Sequence, residues 1–271
     1  MFDLAAYLAR IALEERPAAD ADGLAALQRA HRLAIPFENL DVILGRGIRI
    51  DSDSVFAKLV TARRGGYCFE HNRLFLDALA ALGFEARVLL ARVWLAATET
   101  PPLTHALSLV TIAGQDWIAD AGFGASYAPV MQLAEGDVEA SDGARFRLAR
   151  DPVHGWMLSR DGHPATTDGR GTGAGFQPQY SFTLNQVWDA DLALSNRWTS
   201  SAPESRFLQL RIVSIVLPEG MASINERHYR ARNAVAETAT ELADPDAWHA
   251  RLSRIFGIEL TIEEVAALGL Y

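Results

Sequence analysis

Apolar residues recur at helical spacing from the start of the chain to about Gly83. This pattern predicts four helices, each marked by a polar residue at its start or by proline or glycine at its end. The first helix contains Leu4 and is ended by Pro17, and the second starts at Asp22. The third starts at Ser52-Asp53-Ser54, and the fourth starts near Cys68 with Gly83 as its C-cap.

After Gly83 the helical period gives way to short runs rich in Val, Ile, Leu and Trp, which are typical of strands. Ala113-Gly114 lies between two of these runs and indicates a hairpin turn. The glycine-rich segment 168–175 is predicted to be a surface loop. The predicted strands are 85–95, 105–112, 116–120, 144–149, 155–159 and 180–184.

From about Leu192 the chain mixes both patterns. Residues 207–216 and 221–231 are predicted to pair as strands around Leu217-Pro218-Glu219-Gly220. Helices at 246–256 and 262–268 are predicted to close the chain. The order of helices, then strands, then a mixed unit favours an α+β fold.

Composition narrows the class of protein. The chain has 271 residues, of which 49% are apolar and 22% charged, and these are values of a soluble globular protein. The formal net charge of −9 argues against nucleic acid and anionic membranes as partners. No apolar run approaches the about 18 residues of a membrane span, and the start of the chain lacks a signal-peptide pattern. With one cysteine, this predicts a cytoplasmic protein.

That single cysteine, Cys68, cannot form an intramolecular disulfide or a cysteine-based zinc site. It is therefore a buried apolar residue, a redox-sensitive thiol or a nucleophile. Gly65-Gly66 precedes it at the predicted helix start, where unpaired backbone N–H groups favour thiolate over thiol. The setting favours a nucleophile.

His105 and Asp120 are the candidate partners, because an imidazole and a carboxylate complete an activated cysteine nucleophile. His105 starts an apolar strand, and Asp120 ends another. A two-residue turn at Gly114-Gln115 would put both on one face, with Asp120 opposite Leu109. A longer loop, a bulge or strong curvature would then have to bring the two side chains together.

Together these residues resemble the arylamine N-acetyltransferase family, over nearly the whole chain. The segments that carry the resemblance are Ile35-Pro36-Phe37-Glu38-Asn39-Leu40, Arg63-Arg64-Gly65-Gly66-Tyr67-Cys68-Phe69-Glu70-His71-Asn72, Thr104-His105, Asp120-Ala121-Gly122-Phe123-Gly124, Tyr180-Ser181-Phe182 and Ser205-Arg206-Phe207.

The resemblance implies an α+β fold in three parts around a cysteine-protease-like core. These are an N-terminal helical bundle (1–83), a central antiparallel β-barrel (84–190) and a C-terminal α/β lid (191–271). It also implies a catalytic triad of Cys68, His105 and Asp120.

The implied reaction moves acetyl from acetyl-CoA to an arylamine, arylhydroxylamine or hydrazine. It follows a ping-pong mechanism through an acetyl-cysteine, without a metal, in xenobiotic metabolism. The acceptor pocket of the family maps onto Phe37, Phe69, Val93, Thr104, Phe123 and Phe207.

Two further sets of residues are expected near the site. The turn after Asp120, through Gly122, Gly124 and Ser126, is a candidate contact for CoA phosphate. Glu38 and Arg64 are expected to form an ion pair behind the site.

Three alternatives stay open at the level of sequence. An amide synthase of the same fold would carry the same triad, and a cysteine hydrolase would use it with water or a peptide. A binding or redox-sensing protein would carry the thiol without catalysis.

Overall fold

The computed structural model of the chain describes residues 2–124, 127–140, 143–161, 175–233 and 235–271. Ser126 and residues 168–174 of the predicted glycine-rich loop lie outside these ranges. Within them, every helix is too short or too polar to cross a bilayer.

Helices dominate the first eighty residues and return near the end of the chain. α4 continues as a π-helical turn, Ala57–Thr61, and α8 as another, Leu252–Phe256. The helices are α1 (Leu4–Arg10), α2 (Ala21–Ala34), α3 (Leu40–Ile43), α4 (Ser52–Phe56), α5 (Cys68–Leu82), α6 (Asp189–Ser201), α7 (Arg206–Gln209), α8 (Pro245–Arg251) and α9 (Ile262–Ala267).

The strands fall into two antiparallel sheets. They are β1 (Phe37–Glu38), β2 (Glu85–Val93), β3 (Leu103–Ile112), β4 (Gln115–Ala119), β5 (Met131–Gln132), β6 (Gly136–Glu139), β7 (Arg145–Asp151), β8 (Gly155–Asp161), β9 (Gln177–Phe182), β10 (Ile212–Leu217), β11 (Gly220–Asn225), β12 (His228–Asn233) and β13 (Glu237–Glu241).

The larger sheet has the strand order β5-β4-β3-β2-β9-β8-β7-β6 among the described residues and curls into a nearly closed barrel. Its inner face carries a continuous apolar cluster that includes Leu89, Leu107, Phe146 and Tyr180. Alternating strand residues bury one face in this way. The predicted mixed fold with a central antiparallel barrel is confirmed, whereas the boundaries at 83 and 190 stay a prediction.

The smaller sheet has the order β1-β10-β11-β12-β13. Its edge strand β1 comes from the N-terminal helical part, and Phe37 pairs with Ser214 of β10. This pairing joins two segments far apart in sequence. Phe37 also bridges to Gly66, and this second contact places it beside the helix that carries Cys68.

The structure corrects several element boundaries. α2 is capped by Asp20, whose carboxylate accepts the Gly23 N–H, rather than by Asp22. α4 is capped by Asp51, one residue before the predicted Ser52-Asp53-Ser54 start. An N-cap carboxylate must lie outside the helix, so an acidic residue within the first turn is a less reliable marker.

Two predicted strands are also corrected. The predicted strand 207–216 begins with the short helix α7, so that only Ile212–Leu217 is extended. The predicted strand 221–231 is broken at Glu226, which has a φ of 56°, and forms β11 and β12 of a second hairpin. The predicted hairpin around Leu217-Pro218-Glu219-Gly220 is confirmed, since Leu217 pairs with Gly220.

Candidate active site

Cys68 is the first residue of α5, and its side chain is buried. The start of the helix is fixed by Glu70, whose Oε2 accepts the Tyr67 N–H at 3.0 Å. Gly65 allows the preceding loop to pass close to the Pro36 carbonyl oxygen, which would lie 2.2 Å from an added Cβ. Gly65 is therefore required by this close approach of two backbone segments.

The environment of the thiol differs from the sequence expectation. Burial raises the pKa of the Cys68 thiol, and the Asp120 carboxylate raises it further. Backbone N–H groups of Ala106 and Phe69 near the sulfur oppose this rise in pKa without cancelling it. The thiol donates to the Thr104 carbonyl oxygen at 3.6 Å. The position at the helix start is therefore insufficient by itself to ionise the thiol, because desolvation outweighs it.

His105 and Asp120 are in direct contact. The imidazole Nε2–H donates to Asp120 Oδ2 at 2.7 Å, and both side chains are buried. The two-residue turn lies at Ala113-Gly114, where both residues have positive φ, and not at Gly114-Gln115.

The register that follows from this turn explains the contact. Ser108 pairs with Ala119, so Asp120 continues the strand toward the position opposite Leu107 rather than Leu109. Leu107 and His105 point to the same face of β3, because they are two residues apart. The correct register thus brings the carboxylate two residues closer to the imidazole than the sequence analysis expected.

Asp120 is held ionised by its neighbours. Burial alone would raise the pKa of this carboxyl. The charge and hydrogen bond of His105, the Gly122 N–H at 2.9 Å and the Arg32 charge outweigh burial, and the pKa lies below its usual range. A buried carboxylate with this many donors can stabilise an imidazolium.

Two side chains that position Asp120 were missed by the sequence analysis. Asn72, one turn after Cys68, donates to Asp120 Oδ1 at 3.2 Å and to the Ala106 carbonyl at 2.6 Å. Gln28 of α2 accepts the Asp120 N–H at 2.6 Å. Asn72 stands in the quoted cysteine segment, so its place in the same motif was the available signal.

A cavity of about 430 Å³ opens onto these groups. Its wall includes Cys68 and His105, and the His105 ring packs edge-on against Phe123 at 4.9 Å. The wall also includes α6 and α7 side chains, among them Trp198 and Arg206. Of the residues predicted for the acceptor pocket, those that line the cavity are Phe37, Val93, Thr104, Phe123 and Phe207.

Phe69 is the exception among the predicted acceptor residues. It is buried and packs edge-on against Tyr67 at 5.6 Å, outside the set of side chains that line the cavity. Adjacent residues of a helix point about 100° apart. Cys68 therefore faces the cavity while Phe69 faces the core beside it.

The two described glycines of the predicted CoA turn also line the cavity. Gly122 packs so tightly on α5 that an added Cβ would lie 2.7 Å from Asn72 Nδ2 and 2.9 Å from Cys68 Cα. Gly124 has a φ of 64°, and its carbonyl accepts a hydrogen bond from Arg32. Packing therefore favours glycine at 122 and the backbone conformation favours glycine at 124, whether or not a ligand contacts them.

A charged cluster lies on the other side of the helix start. The predicted Glu38–Arg64 ion pair is confirmed, with 2.7 Å between Oε1 and the guanidinium. Arg64 also contacts Asp41 at 3.1 Å, and Lys58 bridges Asp41 and Glu70 at 2.9 and 2.8 Å. The loop that leads into Cys68 is therefore anchored by partly buried ion pairs. Within the described ranges, no group of acidic, histidine or cysteine side chains has the arrangement of a metal site.

Sequence comparison gives this geometry a family. A sequence model described as N-acetyltransferase matches residues 20–265. The chain belongs to the arylamine N-acetyltransferase family. It is 35% identical to an arylamine N-acetyltransferase of Escherichia coli K12, with 96% of this chain and 92% of the relative aligned. A relative from Mycolicibacterium smegmatis is 36% identical over 83% of this chain and 81% of its own.

Solved structures of arylamine N-acetyltransferases share the fold. The enzyme from Salmonella typhimurium superposes with a TM-score of 0.90 at 31% identity, covering 99% of this chain and 98% of its own. The Mycobacterium marinum enzyme, solved in complex with CoA, gives a TM-score of 0.87 at 29% identity and 98% coverage of both chains. Members of this family are acyltransferases, and the chain is an acyltransferase.

Proposed function

We propose that this acyltransferase moves an acetyl group from acetyl-CoA to arylamines, arylhydroxylamines or hydrazines through an acetyl-cysteine at Cys68. The observation that carries the proposal is that Cys68 and His105 line one aromatic cavity, while Asp120 holds the imidazole Nε2 at 2.7 Å. Relatives named arylamine N-acetyltransferase support the acceptor class, and the CoA complex of a structural neighbour supports the donor.

In the first half-reaction the neutral thiol must lose its proton as it attacks. Because Nε2–H is engaged by Asp120, Nδ1 of His105 is the ring nitrogen that takes the Cys68 proton. The sulfur adds to the thioester carbonyl carbon, the bond to the CoA sulfur breaks, and the imidazolium returns the proton to CoA. The ionised Asp120 stabilises the imidazolium while it exists.

In the second half-reaction an uncharged aromatic amine attacks the acetyl carbon. His105 takes the amine proton, the carbon–sulfur bond to Cys68 breaks, and the proton returns to the thiol. The backbone N–H groups of Phe69 and Ala106 lie near the sulfur and are candidates to stabilise the developing oxyanion. Because CoA leaves before the amine reacts, the kinetics are ping-pong.

The acceptor would lie against flat apolar side chains. Phe37, Phe123 and Phe207 line the cavity and would stack on or edge against an aromatic ring. Gly122 and Gly124 line the same cavity and remain the proposed contacts for CoA. A role in xenobiotic metabolism follows from the same acceptor class.

The test is intact-protein mass spectrometry after mixing with acetyl-CoA, in wild type and in Cys68→Ala. We expect one added acetyl group in wild type only, because the chain has a single cysteine. Addition of p-anisidine or isoniazid should then discharge the acetyl group much faster than buffer does.

Each other outcome points elsewhere. Discharge by water at the same rate as by the amines would favour a hydrolase, and an acetyl group equally present in Cys68→Ala would place the adduct on another residue. Loading by a long-chain acyl donor but not by acetyl-CoA would favour the amide synthase.

A further inference from the structure

A chain of hydrogen bonds runs through the buried interface of three helices and ends beside the cavity. Tyr7 of α1 contacts His31 Nδ1 at 3.0 Å, and His31 Nε2 of α2 contacts His71 Nδ1 of α5 at 2.8 Å. His71 Nε2 then contacts the Pro36 carbonyl oxygen at 3.1 Å. All three side chains are almost completely buried, and the mechanism above uses none of them.

Only one arrangement of protons satisfies all of these hydrogen bonds. The Pro36 carbonyl can only accept, so His71 carries its proton on Nε2 and accepts on Nδ1. His31 must then donate from Nε2 and accept the Tyr7 hydroxyl proton on Nδ1. Burial, followed by the Arg32 charge, lowers the pKa of His71 to about 3, and burial also lowers that of His31. Both rings are neutral.

The Pro36 carbonyl, at the end of this series of hydrogen bonds, belongs to the segment that forms the cavity wall. Pro36 O also accepts the Gly66 N–H at 3.3 Å, and the Glu38 N–H donates to Gly66 O at 2.8 Å. Phe37, between these anchored residues, lines the cavity. Its ring lies nearly parallel to the His71 ring, with 7° between the planes and 6.2 Å between the centroids.

His71 therefore touches the wall in two ways. Its Nε2–H fixes the direction of the Pro36 carbonyl, and its ring lies nearly parallel to that of Phe37. Phe37 in turn packs against Phe207, with 6.0 Å between the ring centroids. His71 lies one turn after Cys68 on the same helix. The same rigid element thus carries the nucleophile and the support for an aromatic wall residue.

We infer that His71 is a positioning residue for the acceptor: its neutral Nε2–H form, held by His31 and Tyr7, sets the place of Phe37 in the aromatic wall. The role in acceptor binding rests on the proposed function. The proton arrangement of the three side chains does not.

The kinetic test compares three variants. His71→Phe keeps a ring but loses both hydrogen bonds, His71→Gln keeps one donor and one acceptor, and Tyr7→Phe removes only the far hydroxyl. We expect His71→Phe to raise KM for p-anisidine about tenfold, with a smaller change in the rate of acetylation by acetyl-CoA. His71→Gln should restore most of the loss, and Tyr7→Phe should shift KM in the same direction by about two- to threefold.

A purely structural role gives a different result. It would lower both half-reactions together in proportion to thermal stability, and Gln would not rescue one half-reaction selectively. An unchanged KM for p-anisidine in folded His71→Phe would overturn the inference, and so would equal losses in both half-reactions.

A second measurement needs no turnover. Nitrogen-15 NMR of the imidazoles in the wild-type protein should show His31 and His71 as neutral Nε2–H forms from pH 8 to pH 5.5, and titration of either ring or an Nδ1–H form would overturn the inference. The Kd of p-anisidine for the unacetylated protein should rise about tenfold in His71→Phe, and no rise would also overturn it. If wild type failed to form an acetyl-cysteine, the proposed function would fail, while the nitrogen-15 spectra would still decide the proton arrangement of the three side chains.

Discussion

Two buried carboxylates flank the start of the helix that carries Cys68, and their pKa values move in opposite directions. Asp120 and Glu70 are each at least 96% buried, with 4% and 2% exposure. The pKa of Asp120 lies below its usual range, whereas the pKa of Glu70 is raised to about 7. Burial pushes both upward, so the difference comes from the neighbours.

The regions differ in how many acids share the available donors. Asp120 receives hydrogen bonds from His105, Gly122 N–H and Asn72. The ionised form of Glu70 is stabilised by Lys58 and the Tyr67 N–H, but Lys58 is shared with Asp41. The negative charge of Glu38 also repels that of Glu70. A carboxylate with its own donors stays ionised and can stabilise a catalytic cation, whereas one in a crowded acidic cluster titrates near neutral pH.

The largest expected effect comes from neutralising the first carboxylate. Asp120→Asn should lower the rate of enzyme acetylation by about 10³–10⁴-fold, because the imidazolium loses its counter-charge and the preferred tautomer is no longer enforced. Quenched single-turnover reactions followed by intact mass would measure the rate.

Asp116→Asn is the matched control for this variant. Asp116 lies on β4, the strand that leads into Asp120, and its carboxylate accepts a hydrogen bond from Thr111 at 2.8 Å, away from the cavity wall. Its acetylation rate should stay within about twofold of wild type. Equal losses in both variants would show that the strand, and not the His105 contact, limits the reaction.

The second prediction makes the Asp120 region resemble the Glu70 region. Asn72→Asp would place a second carboxylate where an amide now donates to Asp120 Oδ1 at 3.2 Å. Like charges at that distance raise the pKa of Asp120, so the acidic limb of the acetylation rate should move to higher pH. The rate at neutral pH should fall about 100-fold, the lower end of what a positioned general base contributes.

Asn72→Ala separates charge from geometry in this second test. It removes the amide without adding a negative group, so it should lower the rate but shift the acidic limb less. If the pH profiles of the two variants coincided, repulsion at Asp120 would not be the cause.

The reacting groups could be predicted from the sequence, but the residues that position them and set their pKa values could not. A single cysteine, a histidine at a strand start and an acid at a strand end are visible as residue types in apolar surroundings. Gln28 and Asn72 look like ordinary polar residues of amphipathic helices, and only the fold brings Gln28 to the Asp120 N–H at 2.6 Å. The predicted direction of the shift in the Cys68 pKa was also wrong. A position at a helix start can be recognised in the sequence, whereas burial by distant segments cannot.

Periodicity was sufficient for some elements and not for others. α5 runs from Cys68 to Leu82 with Gly83 in the left-handed region, as predicted, because an apolar stripe and a terminal glycine mark both limits. The strand pairing of Phe37 with Ser214 joins residues separated by most of the chain. No local pattern encodes such a pairing, and the aromatic wall depends on it.

The third prediction concerns the tight packing between the Asp120 turn and α5. Gly122→Ala should destabilise the protein by about 3 kcal/mol, near the upper end for overpacking, because its Cβ would meet Asn72 and the Cys68 backbone. Urea unfolding would measure the loss. Gly136→Ala is the control, since an added Cβ there meets nothing within 4 Å, and an equal loss in both would contradict the packing argument.

The smallest expected effect concerns the second carboxylate. Since the folded-state pKa of Glu70 is raised to about 7 from 4.5, the folded protein holds this proton between those pH values while the unfolded chain releases it. Unfolding thus releases a proton, and the contribution of Glu70 to stability is present below pH 4.5 and is lost as pH rises through 7.

Glu70→Gln removes that proton linkage while keeping a carbonyl oxygen for the Tyr67 N–H. Between pH 5 and 7, the free energy of unfolding of wild type should fall by about 2 kcal/mol relative to the variant. Urea unfolding at several pH values would give the difference, and Glu85→Gln, at the exposed start of β2, supplies the control. A difference that stays flat over this range would mean that Lys58 alone compensates the burial of Glu70, and the two carboxylates would then be alike.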